Sequence, residues 1–598
     1  MSHSSTQQLL ATAQQVADAV AVAAGRKPAD MLLKNARIVN VITQETAPGS
    51  IAVAGPLIAG VGPAFDRAEA AQTVNLHGRH ICPGLIDGHL HIESSLVTPA
   101  AYAEIIAPRG VTSLVWDPHE IANVSGTAGI AWCIESAYGI PMNIWIDLPS
   151  CVPSTALETT GAVLGVAELD ELLMHPAVIG VGELMSYAAV VGGEPEVLAK
   201  AFLGDHYRRV VDGHCPGITG RELNAYFASG VGSDHESTAL EEAREKLRAG
   251  AFMMIREGSA TRNLQELLPL LTAQTADRIG FVTDDRLPSE LLSEGGVDDL
   301  VRKAIAKGVV PELAIRAASW NTARYFGLAR RGAIAPGYFA DLVVLSDLER
   351  FAASAVYQNG RLIARDGKLD SGILAAGAGR TVDASAVINS VRIGTLRTDD
   401  LRLTAPAAGS AVRCIQPVAG QILTTELQLE PSIRDGAVTA DPDRDIAKLV
   451  CLERHGKNGG IGVGLVTGLG LKRGAIAGTV AHDHHNVLSA GISDRDIVTA
   501  IQRLGQIGGG FVVAEDGAVV AELALPIAGL LSDKPLAEVD ELMQAVDRAA
   551  AALGVTMPAP FMTLSFLGLP VIPELRLTDL GLVDVGAGAV VPLAVTQT

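Results

Sequence analysis

The amino-acid sequence predicts an α/β protein in three parts: a central run of alternating strands and helices, a small β module on either side of it, and a C-terminal α+β domain. Three observations predict this. Over 83–328, short apolar runs alternate with helix-like segments, the pattern of a buried parallel sheet with crossover helices. On both flanks the chain breaks into short β-branched pieces interrupted by Gly, Pro and Asn. Beyond 390, strands alternate with two amphipathic helices. Composition agrees. Of the 598 residues 48% are hydrophobic and only 4% aromatic, so the cores are large and aliphatic, and 63 glycines suit many strand–helix turns.

The N-terminal 1–30 carries Gln and Asp where a secretory leader needs an apolar core, and reads as a surface helix. Strand-like pieces follow at Met31–Thr43, Ser50–Val53, Leu57–Val61 and Gln72–Asn75, so 1–82 holds that helix and the first part of the β module. From Pro83 the apolar runs are Val111–Trp116, Met142–Ile146, Val178–Val181, Arg209–Gly213, Phe252–Ile255 and Arg278–Thr283, with helix-like segments such as Glu168–Met174 and Ser237–Ala249 between them. Roughly 245 residues of this texture fit a (β/α)8 barrel, which takes about 250. A doubly wound open sheet reads similarly, and periodicity does not separate the two. The β texture returns over 329–370 with GYFADLVVL and the Asn-Gly hairpin VYQNGRLIA, which could complete the first module across the barrel. The Gly/Ala/Ser-rich 371–390 is the expected linker, and 391–598 the α+β domain with helices at Asp494–Gly505 and Leu536–Leu553.

A net charge of −20 repels a phosphate backbone, so a nucleic-acid polymer is not the expected partner. The six cysteines are scattered without a C-x-x-C pair, and no uniformly apolar stretch is long enough for a membrane span. The expectation is a reduced, cytoplasmic protein acting on a small molecule. Its size and apolar composition suit a homodimer.

With 14 histidines, one H-x-H pair carries little weight by itself. The context of His89 and His91 in PGLIDGHLHIESS gives it weight: the apolar Leu85–Ile86 precedes it, and residues i and i+2 of a strand point to one side. Both imidazoles then enter one site at a strand's carboxyl end, the active face of a barrel. Glu183, His214, His235 and Asp284 each lie just past a later apolar run. Singly, such residues are often helix caps or meet water. Together the six provide more ligands than the four of a closed zinc site, and a carboxylate able to bridge points to two metals with open positions.

These segments, with RAASWNTARYFGL and RGAIAPGYFADLVVL, resemble the amidohydrolase superfamily over about 30–370. That resemblance implies a (β/α)8 metal-dependent hydrolase barrel, a small β-sandwich module built from both of its ends, and a metal-bound hydroxide as nucleophile. In the hydantoinase- and dihydroorotase-like branches the bridging ligand is a carboxylated lysine. Here Glu183 stands in that place with no lysine before Lys200, which counts against a cyclic-amidase reading. GHLHIESS, WDPHEIANVSG, VGELM, DGHCPGITGRELNAYFASGVGSDHES and TVAHDHHN are more similar to the bacterial-type adenine deaminase family, nearly over the full length. Carried over, that family implies His89, His91, Glu183, His214, His235 and Asp284 around a binuclear centre of manganese or iron, with zinc compatible, and Glu183 as the bridge. The implied reaction is hydrolysis of free adenine at C6, with Asp284 passing the proton to the leaving ammonia. Glu120, with His119 beside it, is the expected proton source for N1. A polar turn opening a helix is the bland alternative for Asp117–Glu120.

Glu93 and Ser94, next to the metal pair, are expected to shape the pocket or to form its loop. The second histidine cluster, His482, Asp483, His484 and His485, follows the strand-like Ala475–Val480, and the resemblance gives His482, Asp483 and His484 a part in lining the adenine site. A separate metal site or a buried turn are the other readings. The Gly-rich 457–470 lacks a following G-K-[ST] and reads as strand and turn. No P-C-x-x-C accompanies an H-x-E, and no G-x-S-x-G elbow occurs, which excludes the cytidine-deaminase fold and a serine hydrolase. The competing readings are an amidohydrolase acting on another heterocycle or cyclic amide, and a catalytically dead scaffold, which the complete ligand set opposes.

Overall fold

The computed structural model describes residues 10–259, 261–373, 382–418 and 421–595. A helix at Ala13–Ala23 opens them, closed by a capping box in which Thr12 and Gln15 exchange side-chain and backbone hydrogen bonds. Residues 1–9 of the expected N-terminal helix, and 374–381 of the expected linker, lie outside the described residues.

Eight strands run in parallel around the centre: β1 (Leu85–Leu90), β2 (Val111–Trp116), β3 (Asn143–Pro149), β4 (Val178–Leu184), β5 (Val210–Gly213), β6 (Ser233–Asp234), β7 (Phe252–Arg256) and β8 (Ile279–Val282). β1 to β5 pair in sequence order, as do β6 to β8. Gly232 N–H bonds the Val211 carbonyl at 2.9 Å, and a parallel bridge joins Leu90 to Asp284, so the order closes on itself. This is the (β/α)8 barrel rather than the open sheet. Closure needs long-range hydrogen bonds that periodicity does not encode. Ile86, Val115, Trp145, Ile179, Phe252, Met254 and Val282, drawn from six of the strands, pack as one buried cluster.

The interior carries polar groups that a purely aliphatic barrel would not, and burial pushes the Asp147 carboxyl well up, toward its neutral form. Asp147 of β3 is fully buried, and β4 admits it by having no side chain opposite: a Cβ on Gly180 or Gly182 would meet the Asp147 carboxylate at 2.2 Å. The sequence VIGVGE therefore spaces its glycines for a neighbouring strand.

The two flanking β segments join one sheet. Its order is Lys368–Leu369, Arg361–Arg365, Ala352–Gln358, Leu342–Asp347, His80–Pro83, Ala29–Asn40, Glu45–Ala54, Leu57–Gly62, with Ala70–Asn75 paired to Ala29–Asn40. Leu342–Asp347 runs antiparallel to His80–Pro83 and is the seam between the halves.

The C-terminal part is built on an eight-stranded sheet. Helix Asp494–Ile507 presents Ile497, Ala500, Ile501 and Leu504 to it, an i, i+3, i+4, i+7 face, and ends on Gly508 at φ 81°. Helix Leu536–Ala552 packs against the barrel helix Pro288–Ser293. A further helix, Pro560–Phe566, has no counterpart in the sequence reading, because seven residues are too few to show a helical period. This part rests on the barrel mouth through Ser532 N–H to the Leu96 carbonyl (2.7 Å), Thr159 N–H to Asp579 (2.9 Å) and Asn486 to the Thr159 carbonyl (2.8 Å). All six cysteines are free and buried, and no helix among the described residues is long and apolar enough to cross a membrane.

Candidate metal centre and substrate cavity

The six residues picked from strand ends converge at one end of the barrel. His89 lies in β1 and His91 just beyond it, with ring centroids 4.9 Å apart and nearly perpendicular. Asp284 follows β8 in a left-handed conformation (φ 58°), its N–H bonded to the His89 carbonyl at 3.0 Å. Its Oδ1 is 3.2 Å from His91 Nε2 and 3.7 Å from His89 Nε2. Glu183, in β4, stands in the middle. Its Oε1 lies 3.5 Å from His91 Nε2 and 3.9 Å from His89 Nε2, while Oε2 bonds His214 Nδ1 and lies 3.2 Å from His235 Nε2. His89, His91 and Asp284 form one group of close donor atoms, and His89, Glu183 and His235 another.

All six are buried or nearly so, and the electrostatics favour ionised carboxylates. Burial would push Glu183 up, but His214 and His235 outweigh it and hold it well below the usual carboxylate range. For Asp284 the Arg256 guanidinium does the same, at 2.7 Å from Oδ2. Neither ring nitrogen of His89, nor Nδ1 of His235, has a hydrogen-bond partner among the described residues, although all are buried. Orphaned imidazole nitrogens facing carboxylate oxygens fit a cation, and imidazole with carboxylate is the donor set for a first-row divalent metal.

Behind this cluster stand residues the sequence reading did not single out. Arg256 ends β7 and bonds Glu236 as well as Asp284. Glu236 lies 3.5 Å from His235 Nε2. Asp117 accepts the Glu183 N–H at 2.6 Å, and Tyr325 donates to Asp212 at 3.1 Å. Arg256 was open to discovery, since it ends an apolar run as the ligands do, but a guanidinium is no metal ligand. Asp212 gave no signal beyond its place near a strand end, and Asp117 was noted only as the start of the Asp117–Glu120 turn.

Four of the other predicted residues border a cavity between the barrel and the C-terminal part. It encloses about 780 Å³, open solvent at its mouth included, and Phe511, Leu530, Phe561 and Met562 supply apolar wall. Glu93, Ser94, Glu120 and His482 line it. Glu93 accepts from the Trp116 indole at 2.7 Å and from Ile121 N–H at 3.2 Å, and burial raises it to about 7. Ser94 donates to Asp285. His119 lies 3.3 Å from Glu120 and 3.5 Å from Glu183, between cavity and metal cluster. Asp483 is buried, raised by that burial to about 6, and close to His119 and Glu120. His484 is different: it turns away, its Nε2 on the Gly568 carbonyl at 3.1 Å. His485, left out of the expected pocket set, takes its place and bonds Glu120.

Histidines and carboxylates gather at the carboxyl end of this closed eight-stranded barrel, and the model of the amidohydrolase family matches residues 80–374. The adenine deaminase C-terminal domain model matches 421–589. The adenine deaminase 2 of Carboxydothermus hydrogenoformans is 48% identical over 580 residues, covering 97% of this chain and 99% of its own. The adenine deaminase of Kosmotoga olearia is 44% identical over 571 residues, 95% and 97% of the two chains. Among solved structures, an enamidase of the amidohydrolase superfamily aligns with 57% of this chain and 97% of its own at a TM-score of 0.44 and 18% identity. The chain belongs to the adenine deaminase family.

Proposed function

We propose that this chain hydrolyses adenine to hypoxanthine and ammonia. The observation that carries the reading is the convergence of His89, His91, Glu183, His214, His235 and Asp284 at the carboxyl ends of barrel strands, beside a cavity whose apolar wall suits a flat ring. The nearly full-length relatives named adenine deaminase support the same substrate. Glu183 fits a bridge between two divalent ions, Mn(II) or Fe(II), with Zn(II) equally suited to the donors. Bound there, such ions would supply Lewis acidity that lowers the pKa of water at the site.

The chain's own residues do the rest. Asp284, kept ionised by Arg256, takes the proton that the attacking water gives up and returns it to the departing ammonia. Addition across C6=N1 places charge on N1, so a second proton source is required on that side. The Glu120 cluster, with His119 beside it, supplies it. Closure of the cavity by the C-terminal part limits water around the ring.

The test is ammonia release from adenine and from adenosine by protein reloaded with Mn(II) or Fe(II), with Glu183→Ala as control. Release from the free base alone, lost in the control, supports the reading. No release in any metal form, with metal bound, replaces adenine by another heterocycle or a cyclic amide.

A further inference from the structure

Glu120, His482 and His485 all line the cavity, and of the two imidazoles His482 is the one with a ring nitrogen lacking a hydrogen-bond partner among the described residues. Glu120 itself is 2% exposed. Its Oε1 lies 2.6 Å from His482 Nδ1 and 3.3 Å from His119 Nε2, and its Oε2 is bonded to His485 Nε2. Its Oε2 is thus bonded to one imidazole, while its Oε1 lies at ion-pair distance from two others without hydrogen-bond geometry to either among the described residues.

Two of the C-terminal histidines have their protons fixed by the backbone. His485 Nδ1 accepts the Ala481 N–H at 3.1 Å, so its proton sits on Nε2 and is given to Glu120. Burial keeps this ring neutral, depressing it to about 4. His484 Nδ1 accepts the Asn486 N–H at 2.8 Å, and its Nε2 donates to the Gly568 carbonyl. Both rings are structural donors with no proton to spare.

His482 is not constrained this way. Its Nδ1 stands at ion-pair distance, 2.6 Å, from Glu120 Oε1, and its ring stacks on Phe566 with centroids 4.7 Å apart and planes at 16°. Its Nε2 has no hydrogen-bond partner among the described residues, and the side chain lines the cavity. An imidazole anchored at one nitrogen by a buried carboxylate, with the other nitrogen turned to the substrate space, is the arrangement of an acid–base histidine.

We propose that His482, supplied by the C-terminal domain, delivers the proton to N1 of the purine, with Glu120 as its positioning carboxylate and His485 as the donor that fixes Glu120. This deepens the adenine reading above and rests on it. As oxygen bonds to C6, the C6=N1 electron pair moves to N1, which takes the proton from His482 Nε2 and leaves that ring neutral. The C6–amine bond then breaks, and the nitrogen departs as ammonia with the proton held by Asp284. The hydroxyl proton on C6 is lost to solvent, the C6=O bond forms, and His482 regains a proton from solvent. N1 keeps its hydrogen, as the 6-oxo product requires.

The titratable groups around His482 include Glu120, Asp285, Asp483, His484 and His485, with uncharged Phe566 from helix Pro560–Phe566. Burial works against a charged ring, but Glu120 first, then Asp285 and Asp483, outweigh it and raise His482 to about 9. The imidazolium is the resting form at neutral pH. The barrel alone carries the metal cluster without this proton donor.

The test uses full-length metal-loaded enzyme with His482→Asn, which keeps an amide near the Nδ1 position, His482→Gln and His482→Ala. The expected result is a fall in kcat on the order of 10²–10⁴-fold. Metal content should stay unchanged, and added imidazole should restore part of the turnover of His482→Ala. Variants within about three-fold of wild-type kcat overturn the assignment. So does a loss confined to KM or metal content without imidazole rescue. Wild-type enzyme that releases no ammonia from adenine overturns the functional reading, and the assignment with it.

Discussion

Arg256 Nη1 lies 2.7 Å from Oδ2 of Asp284, while Oδ1 of the same carboxylate lies 3.2 Å from His91 Nε2. One oxygen is thereby occupied by a fixed cation and the other is turned to the histidines. Arg256 is itself oriented by Glu236, which it bonds through both terminal nitrogens. This second layer sets the direction of a residue to which we give both a metal-binding and a proton-carrying role. Replacing Arg256 by Met should lower metal affinity and kcat by roughly 10–100-fold, the usual cost of losing a ligand's partner. Metal titration followed by emission spectrometry, beside steady-state rates, checks this. A variant with wild-type metal affinity and kcat would show that Asp284 is held by the strand end alone.

Glu183 occupies the place between the two histidine groups, and a Gln there keeps the shape while removing the charge. Glu183→Gln should bind fewer divalent ions per chain than wild type and lose turnover by about 10²-fold or more. The measurement is metal stoichiometry after dialysis. Full stoichiometry in the variant would remove Glu183 from the role of bridge.

The pH dependence of kcat at saturating adenine should have an alkaline limb. His482 is raised to about 9 in the folded protein by its carboxylate neighbours. It is therefore protonated at neutral pH and loses its proton as the pH rises through about 9. A proton donor is then missing, so kcat falls on that side. The limb should vanish in His482→Gln, leaving a low and flatter profile. A variant profile that keeps the wild-type limb would assign that ionisation to another group.

Gly182 should tolerate no side chain. A Cβ there would lie 2.2 Å from Asp147 Oδ2, on a strand whose next residue is Glu183. Gly182→Ala should cost about 1–3 kcal/mol from overpacking and lower the melting temperature. It should also weaken metal binding, because any shift of β4 moves Glu183. Thermal unfolding with and without metal separates the two effects, and an unchanged melting temperature would mean that Asp147 moves aside freely.

Several of these relations could be read in advance and others could not. Val111–Trp116 stands out in the sequence because it is a bounded, fully buried apolar run, and β2 has those same limits. The metal-ligand candidates stand out because each follows such a run, and a parallel barrel brings every strand's carboxyl end to one face. His484 and His485 were not separable. They are adjacent, similar and equally buried, and only the backbone donors at Asn486 and Ala481 decide which ring turns to Glu120. The partnership of Glu120 with His485 spans 365 residues, a separation at which no periodicity carries information.

By itself, the sequence determined the local part of this protein. It placed most barrel strands and the helices with a clear apolar face, such as Asp494–Ile507 and Leu536–Ala552, because apolar periodicity is a local property of the chain, but left many shorter helices and strands unplaced. It also marked His89, His91, Glu183, His214, His235 and Asp284 as a set, because identical strand-end positions repeat along it. The tertiary structure decided what is non-local: barrel closure between β8 and β1, the sheet shared by the two flanking segments, and the descent of His482 and His485 onto Glu120. The physical reason is that hydrogen bonds and ion pairs between distant segments depend on packing geometry, which is specified by the whole core and not by any single stretch of the chain.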